Sequence, residues 1–249
     1  MFAAFLLALG NGELQTEENE YVQLPPGIVQ VQDDETAIFT PMNEDVDEIN
    51  KALIDRFPGS ATTYKSYDTV LVDKCNIYPT EFINKLCPGG MSPHELVLKV
   101  NSPVILLRNL MPASGLCNGT QLICKTFSPN LIGCVIINGH HAGEHVFIPR
   151  INLRPPSSAN YPFQFQRKQF PIKLSFAMTI NKSQGQTLDQ VAIYLPRPCF
   201  SPGQLYVALS RARKAEKVIV VTAPPPEDAP QHSAKNIISY EVLRLAGII

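Results

Sequence analysis

Ala177-Met178-Thr179-Ile180-Asn181-Lys182-Ser183-Gln184-Gly185-Gln186-Thr187 is the stretch on which the reading of this chain turns. The apolar run from Ile172 to Ile180 predicts a strand, and the small polar residues after it predict a turn into a helix. Such a strand end gathers backbone N–H groups, Thr and Ser hydroxyls and the Lys182 ammonium in one place, as a phosphate-binding surface requires. Gly185 permits close approach of the backbone to a ligand. The residues alone leave an ordinary strand-to-helix connection with local capping open as well.

Downstream, Val191–Leu195 and Val218–Thr222 are near-continuous apolar runs, the pattern of strands covered on both faces of a parallel sheet. Between them, Ser201-Pro202-Gly203-Gln204 predicts a helix start, with a capping box from Ser201 to Gln204 and Pro at the first helical position. Leu205, Ala208, Leu209 and Ala212 recur at helical spacing and form its buried face. Arg211 projects from a neighbouring face shared with Gln204 and Val207. An arginine held on a rigid element can present its guanidinium to phosphate oxygens of a nucleotide bound elsewhere. A solvated arginine near a helix C-terminus, favoured by the dipole, is the plainer alternative.

Upstream, Ala37-Ile38-Phe39-Thr40 predicts a short buried strand stopped by Pro41. Asn43 is an N-cap candidate for the next helix, with Val46, Ile49, Leu53 and Phe57 toward a core. Residues 58–95 read as a connecting segment with a short helix over 80–87. Leu96–Leu107, Gln121–Phe127, Ile132–Asn138 and His145–Leu153 are β-prone stretches separated by turns, which suggests a small barrel over 96–155. Thus 36–57 and 172–223 form one α/β domain interrupted by a β insertion. Residues 1–35 read as a helix ending at Gly10 plus an acidic linker. Residues 224–249 read as a tail, with the Pro224-Pro225-Pro226 run and a helix over about 236–246.

The net charge of −1 conceals an asymmetry. Through residue 95, Asp and Glu outnumber Lys and Arg 16 to 5, whereas between 96 and 217 Lys and Arg lead 14 to 3. The basic part suggests a polyanion-binding surface, against the alternative of a merely solvated one. Six cysteines without C-x-x-C spacing read as reduced and mostly buried, which argues against a secreted disulfide scaffold. His140, His141 and His145 flank a Gly-rich turn and lack the companions of a metal site, so none is assigned. The apolar start, Met1 to Leu9, is too short for a bilayer and has no basic leader, so neither a secretory nor a membrane-anchored protein is expected. A helix with no leader suggests that more chain precedes it.

The strings TINKSQGQTL and GQLYVALSRAR, at this separation, resemble motifs V and VI of the Pif family of superfamily-one DNA helicases, especially its Helitron branch. TPMNEDVDEIN resembles the family's motif IV, and HELVLKVNSPVILLRNLMPASGLCNGTQLI and GEHVFIPRINL resemble its inserted 2B domain. The resemblance covers roughly residues 36–222. It implies an α/β fold: the second of two RecA-like motor domains, with a small SH3-like β barrel inserted between motifs IV and V. It implies that Arg211 is the arginine finger reaching ATP held by the first motor domain. It further implies that Thr179, Asn181 and Lys182 meet the single-stranded DNA backbone, and that Gln184, Gly185 and Gln186 lie between DNA and nucleotide. Position 181 is often His in the wider family and is Asn here. Gln204 and Tyr206 become structural partners of the finger helix.

The implied activity is ATP-dependent 5'-3' DNA unwinding in replication, recombination, repair or Helitron transposition. The implied cofactors are ATP and Mg2+, and the partners single-stranded DNA and a first motor domain, inside the cell and in the nucleus rather than the mitochondrion. No membrane and no small molecule beyond ATP is expected. One departure bears on all of this: no G-x-x-x-x-G-K-[ST] loop occurs in these 249 residues. Asp33-Asp34-Glu35 follows an alternating stretch, not a buried apolar run, and is not taken for a Walker B. Tight nucleotide binding by this chain alone is therefore not expected. A non-catalytic DNA-binding module and a decayed element retain the same motifs, so both stay open.

Overall fold

The computed structural model describes residues 2–14, 21–25, 37–71, 78–156, 159, 161–223 and 233–247. Asp33-Asp34-Glu35, Cys75 and the Pro224-Pro225-Pro226 run lie outside them. The chain forms α1 (Phe2–Asn11), β1 (Tyr21–Gln23), β2 (Ala37–Thr40), α2 (Asn43–Arg56), β3 (Thr62–Lys65), β4 (Tyr67–Val70) and α3 (Thr80–Lys85). It continues through β5 (Glu95–Leu98), β6 (Pro103–Leu106), β7 (Gln121–Phe127), β8 (Leu131–Ile136), β9 (His145–Pro149) and β10 (Ile151–Leu153). The remainder is β11 (Phe165–Gln169), β12 (Ile172–Leu174), β13 (Ala177–Thr179), β14 (Val191–Leu195), α4 (Gln204–Leu209), β15 (Val218–Thr222), β16 (Ser233–Lys235) and α5 (Tyr240–Leu245). These elements belong to two compact units, Met1–Ile49 with Ala177–Ile249, and Asn50–Phe176.

The first unit is built on a four-stranded sheet in the order β13-β2-β14-β15, parallel throughout. Its strands are the short apolar runs read from the sequence, with Phe39, Val191, Ile193 and Val218 fully buried. From α4, Leu205, Ala208 and Leu209 enter the same core, followed by Ala212 just beyond the helix. This is the RecA-like α/β arrangement that the resemblance implies. From α1, Leu9 is buried in this core, with Phe2, Phe5 and Leu6 packed against it. The terminating left-handed residue is Gly12, at φ 72°, rather than Gly10. Gly10 instead lies under the Tyr206 ring, where a Cβ would sit 3.3 Å from ring carbons. The segments read as linker and tail also contribute structure. Tyr21–Gln23 and Ser233–Lys235 pair as antiparallel strands because Val22 and Ala234 bury their side chains in the core.

The second unit holds a five-stranded antiparallel sheet, β12-β6-β7-β8-β9, with the β3–β5 pair packed on a shared core. A three-stranded sheet, β10-β11-β4, covers a smaller core rich in aromatic side chains. Three β stretches are divided relative to the sequence reading. Leu96–Leu107 breaks at a turn where Asn101 adopts φ 69°. His145–Leu153 breaks at Arg150, after which the chain passes from one sheet to the other. Ile172–Ile180 breaks at Ser175-Phe176, so Ile172–Leu174 pairs antiparallel with β6 while Ala177–Thr179 pairs parallel with β2. Cys124 and Cys134 are cross-strand partners, both buried. The hydrogen bond with Cys124, and then burial, raise the Cys134 thiol far above the ordinary range. Among the described residues every cysteine is free.

A buried cation organises the three-stranded sheet. On β11, Phe165, Arg167 and Gln169 share the inner face, and Arg167 is wholly buried. Its Nη2 donates to Asp68 Oδ2 at 2.6 Å, its Nε reaches the same carboxylate, and its Nη1 donates to the carbonyls of Leu86 and Ser92. Removing one partner of a buried pair leaves an uncompensated charge, at a cost of about 3–5 kcal/mol. Asp68→Ala should therefore lower unfolding stability by about that amount in a urea titration followed by circular dichroism. A loss under about 1 kcal/mol would contradict the pairing's structural weight.

Candidate functional site

β13 ends at Thr179, paired with Thr40 at the end of β2. The predicted helix N-terminus does not follow. Ile180–Ser183 forms a 3-10 turn without a side-chain cap. The turn is short because Ile180 and Ser183, three residues apart, are both buried, and Ser183 Oγ closes it by donating to Ile180 O at 2.7 Å. Gln186 N then donates to Ser183 O at 3.0 Å, with Gly185 between them at φ 82°, a conformation that a side chain would strain. Asn181, Lys182, Gln184, Gly185 and Thr187 are consequently exposed, while Thr179 and Gln186 are half-buried. Backbone and side chains thus present a polar rim after the strand, but no helix dipole supports it.

The second half of the site comes from α4 and the turn after it. Gly203, at φ 71°, occupies the N-cap position, so the expected capping box is not formed. Gln204 Oε1 instead accepts from Phe200 N at 3.2 Å, and Pro202 precedes the helix. The helix ends at Leu209, and Arg211 lies in the turn beyond it rather than on the helix surface. Tyr206 faces Gly10, and Gln204 is buried, so both act within the fold.

Arg211 joins the two halves. Its Nη1 donates to Gln186 O at 3.0 Å and, at a longer 3.4 Å, to Ser183 O. Its Nε donates to Val207 O at 2.9 Å, and its Nη2 to Ser210 Oγ at 2.8 Å. Four of the five guanidinium N–H groups are thereby directed at neutral oxygens. The backbone adds Leu188 N to Arg211 O at 3.0 Å, beside a parallel bridge between Leu188 and Ala212. Arg213, two residues on, is exposed. The structure therefore brings Arg211 together with Gln186 and the turn after Ile180, while Asn181 and Lys182 stand on the turn's outer side. The sequence reading missed Ser183, Val207 and Ser210 as holders of the guanidinium. Two of the three act through backbone carbonyls, which leave no trace in residue type.

Among the described residues no three His, Cys, Asp or Glu side chains gather where they could hold a metal ion. His141 pairs with Glu144 instead, Nδ1 to Oε1 at 2.9 Å, on an exposed turn. Burial pushes the Cys199 thiol up to about 12. No helix among them is long and apolar enough to cross a membrane.

Two family models match: "DNA helicase Pif1, 2B domain" over residues 81–127 and "Helicase" over residues 166–244. The chain is 32% identical over 184 residues to the ATP-dependent DNA helicase PIF1 of Xenopus laevis, covering 73% of this chain and 27% of that protein. It is 53% identical over 122 residues to Pif1 of Bdellovibrio bacteriovorus, covering 49% of this chain and 26% of that one. It spans about a quarter of the length of these relatives. Among solved structures, Bacteroides Pif1 bound to ssDNA matches 99% of this chain and 53% of its own, at TM-score 0.68 and 22% identity. Pif1 from Candida albicans matches with TM-score 0.65 at 20% identity, over 99% of this chain and 57% of its own.

The Arg211 clamp is testable without any ligand. Hydrogen bonds to a charged donor contribute about 1.5–3 kcal/mol. Arg211→Ala should speed amide exchange over residues 181–188 by roughly tenfold or more, as read by mass spectrometry, with Val218–Thr222 unchanged. Unaltered exchange in 181–188 would show that the carbonyls are held by something else.

Proposed function

Because this chain belongs to the Pif family of superfamily-one DNA helicases, we propose that it works as the second motor half of an ATP-dependent DNA helicase. The observation that carries the proposal is the Arg211 clamp. A single guanidinium links the exposed turn of Asn181 and Lys182 to the end of α4, with only neutral acceptors around it. In this reading Thr179, Asn181 and Lys182 meet the backbone of single-stranded DNA. Gln184, Gly185 and Gln186 relay between that strand and the nucleotide, and Arg211 presents positive charge to ATP held by a first motor domain. In this reading ATP and Mg2+ serve the complete two-domain protein, with Mg2+ carried on the nucleotide's phosphates. What ATP supplies is the transferable phosphoryl group; what this chain supplies is position and charge. The action belongs where DNA is handled, inside the cell and in the nucleus.

The absence of a G-x-x-x-x-G-K-[ST] loop from these residues favours one second reading, a non-catalytic single-stranded DNA-binding module. An ATPase assay bears on both. The 249-residue chain alone should show no DNA-stimulated turnover. When fused to a complete first motor domain it should hydrolyse ATP, and Arg211→Ala should lower that rate by about 10³–10⁵, while Arg213→Ala has little effect. Equal losses from the two substitutions would show the finger to be misassigned.

Both readings require the DNA contact. Lys182→Ala should weaken binding of unrelated oligonucleotides about equally and lower the salt slope by roughly one phosphate contact, in fluorescence-anisotropy titrations at several salt concentrations. Absence of any binding by the chain at low salt would remove the module reading.

A further inference from the structure

The outer face of the three-stranded sheet in the second unit carries an exposed aromatic ring among cations. In register, Tyr67 of β4 lies opposite Lys168 of β11, and Lys168 lies opposite Asn152 of β10, so the three side chains form one row across the sheet. The next row on that face pairs Thr69 with Gln166. Tyr67 is 70% exposed, a high value for a large aromatic side chain in a strand. Lys168 and Asn152 are also exposed. The only carboxylate in these three strands, Asp68, points to the opposite face, where Arg167 takes it.

The ring is also braced. The Arg150 guanidinium carbon lies 5.9 Å from the Tyr67 ring centroid. Arg150 is itself fixed by donating to Lys65 O, Gln169 Oε1 and Pro129 O, and by lying 4.7 Å from the Phe170 ring centroid. A rigid aromatic group loses little freedom when a flat partner stacks on it, and the cations beside it complement a line of phosphates. Neither feature suits an acidic or purely apolar surface.

We propose that this face, centred on Tyr67 and Lys168, is a second contact site for single-stranded DNA, with a base stacked on Tyr67 and a phosphate at Lys168. The inference adds a contact to the nucleic-acid reading above and rests on it, but it uses residues of the inserted unit alone. Stacking on an aromatic side chain is worth about 5- to 100-fold in affinity per base.

The test uses the full chain and oligodeoxythymidylate in anisotropy titrations. Tyr67→Ala should weaken binding by about 5- to 100-fold, and Tyr67→Phe should retain most of it. Lys168→Gln should lower the salt slope by about one contact. An abasic oligonucleotide and a blunt duplex, which offer no free base to stack, should bind wild type and Tyr67→Ala alike. The chain contains no tryptophan, so Tyr67→Trp installs a single fluorophore that single strands should quench. The same replacement at Phe147, exposed on a different sheet, should not be quenched. If Tyr67→Ala binds like wild type while Lys182→Ala weakens binding, the stacking site is overturned and the function above stands. An equal Tyr67→Ala loss on the abasic strand or the duplex also overturns it. No binding by the wild-type chain overturns the stacking site and removes the module reading, while the ATPase assay of the fused chain still tests the motor-half reading.

Discussion

The hydrogen bond from buried Asn50 Nδ2 to Leu174 O, 3.3 Å long and spanning 124 residues of sequence, closes the insertion on itself. Phe57 and Phe176 reinforce it, their ring centroids 5.1 Å apart. The first unit depends on this closure because β2 and β13 are parallel neighbours, paired from Ile38–Ala177 to Thr40–Thr179. A parallel pair always needs a crossover, and here the crossover contains a whole folded unit. Loop-closure entropy grows only logarithmically with length, and a connection that folds around its own cores no longer behaves as a loop. The insertion can therefore carry its own surface chemistry while the parallel sheet of the first unit keeps its register.

Two arginines differ in what their placement leaves them able to do. Arg167 is wholly buried with a carboxylate at 2.6 Å, and its remaining donors reach carbonyls, so it has no capacity to spare for a ligand. Arg211 is half-buried, and its four hydrogen bonds go to neutral oxygens. Charge-assisted bonds to an anion are about twice as strong as neutral ones. A guanidinium in the second situation has something to gain from a phosphate; one in the first has not.

How much of this was legible in the sequence depends on whether the deciding contact is local. Ala37–Thr40, Val191–Leu195 and Val218–Thr222 form the strands expected, because a continuous apolar run has few other uses in an α/β layer. The buried face Leu205, Ala208, Leu209 and Ala212 also holds, since its spacing carries it. Failures cluster where a partner changes. Nothing in Ile172–Ile180 marks that its first three residues pair with β6 and later ones with β2. The capping box failed because Gly203 could take a left-handed conformation that set the helix start, freeing Gln204 for Phe200 N. The small polar residues after Thr179 predict a turn into a helix, but Ser183 closes a 3-10 turn by donating to Ile180 O, a partner that residue type does not reveal. Arg167 was detectable in principle, as a charge on the inner face of the Phe165–Gln169 alternation. The row of Tyr67, Lys168 and Asn152 was not, because only strand register assembles it.

The geometry of Arg211 has a consequence for how the two halves of the site communicate. Its guanidinium is the tie between the α4 end and the carbonyls of Ser183 and Gln186, and those carbonyls belong to the turn that displays Lys182. A phosphate that draws the guanidinium away exchanges neutral acceptors for an anionic one and leaves the two carbonyls without that donor. The turn must then find other partners or shift, and Gly185, already at φ 82°, supplies a backbone position able to absorb the change. Lys182 would move with it. Under the proposed function, a link between a nucleotide event and a DNA grip would need no long relay. It would need one side chain whose hydrogen bonds can be made in either of two places, and Arg211, bonded to neutral oxygens on both sides of the site, is so placed.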